Sequence, residues 1–193
     1  AEIRSLRKFN WEALTIEYTF TTTTATQYDL PSDFVRFVHD TAWDRNNQLE
    51  MNGPATAQRW QLYKSGVSDA GTRKRYRIRP SNGVKKFELD TAPTSEETLV
   101  FEYITDQVFI SNASGNPDST LMSDSDTFIL PEDLIISGGV WRFLKRFGMD
   151  YSTEFSEHQN LVDQARAADG GSRTLLTVIS LHHDKPKNFK DII

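Results

Sequence analysis

Residues Leu130 to Gly171 carry the longest helical period in the chain, with punctuation at both ends, and any fold must accommodate them first. Pro131 suits a first helical position, and Glu132 with Asp133 places negative charge where the helix dipole is positive. Leu134, Gly138, Trp141, Leu144 and Gly148 recur at three or four residues and so share one stripe. Arg142, Lys145 and Arg146 crowd the last turns, and Gly148 supplies the left-handed stop. Beyond the corner Met149-Asp150-Tyr151, Asp150 or Ser152 caps a second helix with Phe155, His158, Val162 and Ala165 on its stripe, ended by Gly170-Gly171. The pattern predicts an antiparallel helical hairpin anchored by Trp141. Two glycines inside the first helix, Gly138 and Gly139, cost on the order of 1 kcal/mol each relative to alanine, so a close contact on that face is expected.

Upstream, the period is that of β structure. Ile16, Tyr18 and Phe20 alternate with polar neighbours, and Phe34 to Trp43 is expected to alternate again with Val35, Phe37, His39 and Trp43 on one side. Asp44 to Asn47 reads as a turn, Gln48 to Met51 as a short strand, and Gly53-Pro54 as the opening of a brief helix through Trp60 and Tyr63 that Gly66 closes. Asn82-Gly83 is the favoured two-residue hairpin turn and fixes a register in which Ile78 faces Phe87, Tyr76 faces Leu89, Arg77 faces Glu88 and Arg75 faces Asp90. Leu99 to Ile104 is a further strand, and Ser111 to Thr127 a long polar loop. After Gly171, Leu175, Leu176, Val178 and Ile179 form one more β-prone run. The expected fold is therefore α+β: a β-rich part followed by an antiparallel helical hairpin and an extended C-terminal arm. Residues 1–171 are expected to form one domain (1–13 a helix end, 14–129 β-rich, 130–171 the helical hairpin), with 172–193 as the arm. Ile3, Leu6, Phe9 and Leu14 read as the end of a helix already under way, so further residues are expected before Ala1.

Charge and composition narrow the chemistry. The 193 residues hold 22 basic and 27 acidic side chains for a net charge of −5, so the whole molecule repels nucleic acid and any DNA contact must be local. Mean hydropathy is −0.54 while Phe, Tyr and Trp are plentiful, which suits a β-rich chain with long loops or a subunit that completes its burial against neighbours. The absence of cysteine excludes disulfides, thiolate catalysis and Cys-based zinc sites. No apolar run approaches the roughly 20 residues of a membrane helix, and no membrane contact is expected.

The local basic patch is Arg73, Arg75, Arg77 and Arg79 with Lys74, Lys85 and Lys86. Its sharp reading is a DNA-facing surface; the register, which sets Glu88 and Asp90 against two of the arginines, favours a solvated or subunit-facing strand. Arg79 and Lys86, opposite each other without an acid, are expected to need an outside anion. Asp118, Asp124 and Asp126 lack the glycine and closing glutamate of a calcium loop, and His182-His183-Asp184 lacks further spaced ligands, so no metal is expected. His39 and His158 read as packed histidines. No GxSxG, HExxH, phosphate-binding glycine loop or paired acid and base is present, so neither catalytic residues nor cofactors are expected. Trp11, Trp43, Trp60 and Trp141 are either core or interface anchors.

The order of motifs adds a further expectation. Tyr28, Leu30, Pro31, Asp33 and Phe34 form a YxLPxDF element; Gly53, Pro54 and Trp60 a GPxxxxxW element; Phe101 to Ile104 reads FEYI; Trp141 to Leu144 with Gly148, Asp150 and Tyr151 form a WRFLxxxGxDY corner; and Ala167 to Gly171 reads AxxDGG. From Trp11 to Gly171 this ordered set resembles the head-to-tail adaptor proteins of tailed bacteriophages, the connector or tail tubular protein A-like family. The resemblance implies a helical bundle with a β-rich insertion, assembled as a homo-oligomeric ring of about twelve copies beneath the portal protein and meeting a tail nozzle or tail tube protein. It places the chain at the head-tail junction of the virion, assembled in the host cytoplasm, with DNA met only by passage through the channel. In such a subunit the arm residues Leu175, Leu176, Val178, Ile179, Lys185, Lys187 and Lys190 would bind the portal. Arg73, Arg75, Arg79 and Lys86 would face the channel or a subunit interface, and Trp141, Tyr151 and Trp60 would be structural anchors. The alternative is a β-rich carbohydrate- or receptor-binding module of a phage tail, with exposed tryptophans stacking on sugar rings.

Overall fold

The computed structural model of the chain describes residues 6, 8–66 and 71–169. These divide between Ile135 and Ile136 into two compact units. The class is mixed α+β, and the described residues form three α-helices and several small antiparallel sheets.

In the first unit, Leu6 and Trp11 are buried, and the indole Nε1 of Trp11 donates to the Leu6 carbonyl at 3.0 Å. A 3-10 turn at Glu12–Leu14 leads into β1 (Thr15–Thr21). Then come β2 (Gln27–Asp29), β3 (Phe34–Phe37), β4 (Trp43–Asp44) and β5 (Leu49–Glu50). Helix α1 (Ala57–Lys64) follows, then β6 (Tyr76–Ser81), β7 (Val84–Leu89) and β8 (Thr98–Thr105). The long strand β8 is central because it is apolar on both faces: Leu99, Phe101 and Tyr103 are buried on one side, Val100 and Ile104 on the other. It pairs along its whole length with β1, from Thr15 opposite Ile104 to Thr21 opposite Thr98, and with β3 and β4.

The hairpin β6–β7 has the register that Asn82-Gly83 dictates: Tyr76 lies opposite Leu89, Arg77 opposite Glu88 and Ile78 opposite Phe87, with both turn residues at positive φ. Strand β2 adds to its other edge. The core joins the two sheets through an aromatic column. Tyr76 stacks on Phe87 at 4.8 Å between centroids and Phe87 on Phe101 at 5.5 Å, the planes lying within 9° and 1° of parallel.

Several expectations need correction. Phe34 to Trp43 is not one strand: β3 ends at Phe37, Asp40 takes a positive φ, and Phe37 is buried while His39 and Trp43 are exposed. The short helix α1 begins at Ala57 rather than at Pro54, because the Thr56 hydroxyl caps it by accepting from Arg59 N. Gly53 instead serves close packing, since a Cβ there would meet the Tyr76 carbonyl oxygen at 2.6 Å and its ring at 2.7 Å. The span Ser111 to Thr127 is not wholly loop. Strand β9 (Phe109–Ile110) pairs with β10 (Pro117–Asp118) and β11 (Thr127–Phe128) in a small sheet of its own.

Helix α2 (Glu132–Arg146) carries Glu132 and Asp133 in its first turn and Lys145 and Arg146 in its last. Gly148, at φ 70°, stops it. Helix α3 (Ser152–Asp169) starts where Asp150 Oδ1 accepts from both the backbone N and the hydroxyl of Ser152. The arm beyond Gly171, the residues before Leu6 and the pair Gly170-Gly171 lie outside the described residues, as does His182-His183-Asp184.

Candidate interaction surfaces

The basic hairpin is a set of ion pairs. Arg73 reaches Glu50 at 3.5 Å, and the buried Arg75 reaches Asp90 at 3.7 Å while its guanidinium lies 4.2 Å over the Tyr63 ring. Arg79 meets Glu88 at 2.8 Å and Lys86 meets Asp29 at 2.9 Å. The expectation that Arg79 and Lys86 lack an acid is thus overturned. Glu88 sits opposite Arg77 in the ladder but pairs diagonally with Arg79, and Asp29 arrives from β2, a strand the two-residue turn says nothing about.

Beside the hairpin, Lys74 is shared by two acids, Asp44 and Glu97, each at 2.7 Å. Burial opposes the charge on Asp44, but the Lys74 and Asn47 hydrogen bonds outweigh it and hold the carboxyl below its ordinary range. Lys74 is likewise pulled down by burial and raised on balance by its two acids.

The YxLPxDF element has a structural use. Asp33 accepts from the Tyr103 phenol at 3.0 Å and from the Thr105 hydroxyl at 2.6 Å, tying the start of β3 to the end of β8. Burial, and next this carboxylate, push the Tyr103 phenol upward. Tyr28 donates to the Ala25 carbonyl at 2.6 Å and closes the turn before β2. Asp33, Asp106 and Asp118, with Ser32, Gln107, Pro117 and Ser119, line a polar cavity of about 260 Å³. Among the described residues no group of three or more His, Asp or Glu is placed to hold a metal.

A second carboxylate shapes the loop after β10. Asp126 accepts backbone N–H groups from Asn112, Met122 and Ser123 at 2.9 to 3.0 Å, and these bonds hold its carboxyl below the ordinary range.

In the second unit Trp141 is half-buried rather than fully enclosed. Its ring lies 5.1 Å from Phe155, 6.2 Å from Tyr151 and 6.3 Å from His158, and the Arg142 guanidinium covers it at 4.5 Å. Its Nε1 is buried and finds no hydrogen-bond partner among the described residues. His158 is buried with Nδ1 at 2.9 Å from the Ser137 hydroxyl; burial, then the Arg142 charge, lower its pKa. Trp60 and Trp11 are both buried. Trp43, at 40% exposure, is the most open of the four.

A family model described as SU10 adaptor protein matches residues 1–178. The chain belongs to the SU10 adaptor protein family. As a member it is a bacteriophage adaptor, a structural component of the virion that works with other head and tail proteins. No individual curated protein matches the chain. Among the described residues of this adaptor, no helix is long and apolar enough to cross a membrane. The match spans every element whose motif order suggested an adaptor, and it ends at Val178, inside the β-prone run of the arm.

Proposed function

We propose that this adaptor is a non-enzymatic, connector or tail tubular protein A-like ring subunit, present in about twelve copies, that joins the portal to the tail and continues the DNA channel. The family match over residues 1–178 carries the reading. The ion pairs support it: a hairpin whose Arg73, Arg75, Arg79 and Lys86 are each held by an acid suits DNA that passes rather than binds. The ring contacts of Trp141 with Tyr151, Phe155 and His158 fit an antiparallel α2–α3 hairpin of the kind a helical bundle needs.

In this reading the arm Leu175, Leu176, Val178 and Ile179 adds to the portal by backbone pairing, and Lys185, Lys187 and Lys190 meet an acidic surface there. The opposite end of the ring receives a tail nozzle or tail tube protein. Imaging the purified chain mixed with its portal tests the proposal. A closed ring seated on the portal is expected, and a chain truncated after Ser172 should keep its melting temperature while losing the portal. A full-length chain that never associates with portal or with itself would end this reading.

A further inference from the structure

Strand β1 closes one side of the five-stranded sheet: it pairs with β8, and no described strand lies along its other edge. The ladder shows which of its residues face outward. Thr22 N–H donates to the Glu97 carbonyl in the register of the strand, so Thr22, Phe20, Tyr18 and Ile16 exchange their backbone bonds with β8. On the far side of β8, Val38 and Arg45 donate to the Glu102 and Thr98 carbonyls, which gives the same parity. Glu17, Thr19 and Thr21 therefore turn their N–H and C=O groups away from the sheet. Thr15 N–H also points outward but is taken by the Glu12 carbonyl, so the open stretch begins at Ile16.

Open edges are normally guarded by lysine, proline, a bulge or a short length. Strand β1 has seven residues, an unbroken register and neither lysine nor proline. Its sequence TIEYTFT is a palindrome by residue class about Tyr18. An antiparallel copy centred there sets Tyr18 against Tyr18, Ile16 against Phe20 and Glu17 against Thr19. Aromatic pairs and aromatic with β-branched pairs are the kinds that stabilise a sheet. The same register matches outward groups with outward groups, because Glu17 and Thr19 exchange both their backbone bonds; a slip of one residue would face them with residues already bonded to β8. The two Glu17 carboxylates fall on a diagonal, and each has its own Arg45 at 3.3 Å. On the other face, Ile16 is exposed beside the half-buried Tyr18 and Phe20, and Phe20 of a second copy would cover it.

We infer that β1 pairs with β1 of a second copy, antiparallel about Tyr18, to make one sheet that runs through both chains. The contact is isologous and closes at two copies. It belongs to the free chain and stands apart from the ring reading.

The cysteine-free chain makes the test direct. Glu17→Cys and Thr19→Cys, both at exposed positions, are made separately in the full-length protein, mixed in equal amounts at high concentration and oxidised with copper phenanthroline. The mixture is expected to give roughly five-fold more disulfide dimer than either variant alone, because Glu17 faces Thr19 across the contact while like positions lie on the diagonal. Thr19→Pro removes an N–H that β8 does not use, so it should fold with unchanged far-UV circular dichroism and sediment as a monomer where the parent chain sediments as a dimer. A mixture no more productive than the single variants overturns the pairing. So does a parent chain that sediments as a monomer at every concentration, or a folded Thr19→Pro chain that still dimerises. If Thr19→Pro does not fold, the cysteine mixture decides alone. A monomeric parent whose Glu17 and Thr19 amides gain exchange protection only on addition of portal or tail protein would overturn it too, and would give the edge to an extended segment of that partner.

Discussion

Lys74 Nζ lies 2.7 Å from Asp44 and 2.7 Å from Glu97, so one ammonium group joins the end of β4, the approach to β6 and the approach to β8. The Asp44 carboxyl is nearly enclosed and also accepts from Asn46 N and Asn47 N. Lys74→Met should leave two acids facing each other without their cation and destabilise the first unit by about 3 kcal/mol. Urea unfolding checks this, and Asp44→Asn in the same background should recover part of the loss.

The same node gives the adaptor an acid limit. Asp44 has a folded-state pKa below its unfolded value, so its contribution is complete above the ordinary carboxylate range and is lost as pH falls through the folded value. His158 adds a second loss at milder acidity. Its folded pKa lies below the ordinary 6.5, so its contribution is present above that value and disappears as pH falls past it. His158→Gln should flatten the stability profile as pH falls below the ordinary 6.5, while Asp44→Asn should flatten it only at lower pH. Thermal melts across pH distinguish the two.

Two glycines should respond in opposite ways to alanine. At Gly53 the new methyl group would sit 2.6 Å from the backbone oxygen of Tyr76, and Gly53→Ala should lower stability by about 2 kcal/mol or more. At Gly139 the space is open and the backbone helical, so Gly139→Ala should raise the stability of the free chain by up to about 1 kcal/mol. Paired denaturation curves decide both.

Trp141 should tolerate phenylalanine better than its size suggests. The indole N–H is buried and has no partner among the described residues, so Trp141→Phe removes an unsatisfied donor along with some packing. A cost of about 1 kcal/mol is expected, against about 3 kcal/mol for Trp141→Ala, which also removes the ring that Tyr151, Phe155 and His158 pack on. Equal losses for the two variants would mean that the N–H is satisfied in solution.

The diagonal pair in the hairpin is also testable. Arg79→Met should cost about 1 kcal/mol because it strips the mostly buried Glu88 of its cation, while Arg77→Met should cost less. The reverse order in urea midpoints would return Glu88 to the residue directly opposite it.

Local grammar made much of this fold readable. Asn82-Gly83 set a register, and Glu132-Asp133 with Gly148 bracketed a helix, because those residues act on neighbours a few positions away. The candidate surfaces were less legible. Asp33 meets Tyr103 and Thr105 about seventy positions on, and Lys74 meets Asp44 thirty residues back, and no periodicity encodes such partners. The alternation that set Trp43 on one side with Val35, Phe37 and His39 is interrupted by the positive φ of Asp40.

Asp126 commits its carboxylate to backbone amides, those of Met122 and Ser123 in its own loop and that of Asn112 in the loop before β10. The loop has therefore surrendered its freedom during folding, not during assembly. Its next partner meets a finished shape, and the encounter loses little affinity to late ordering.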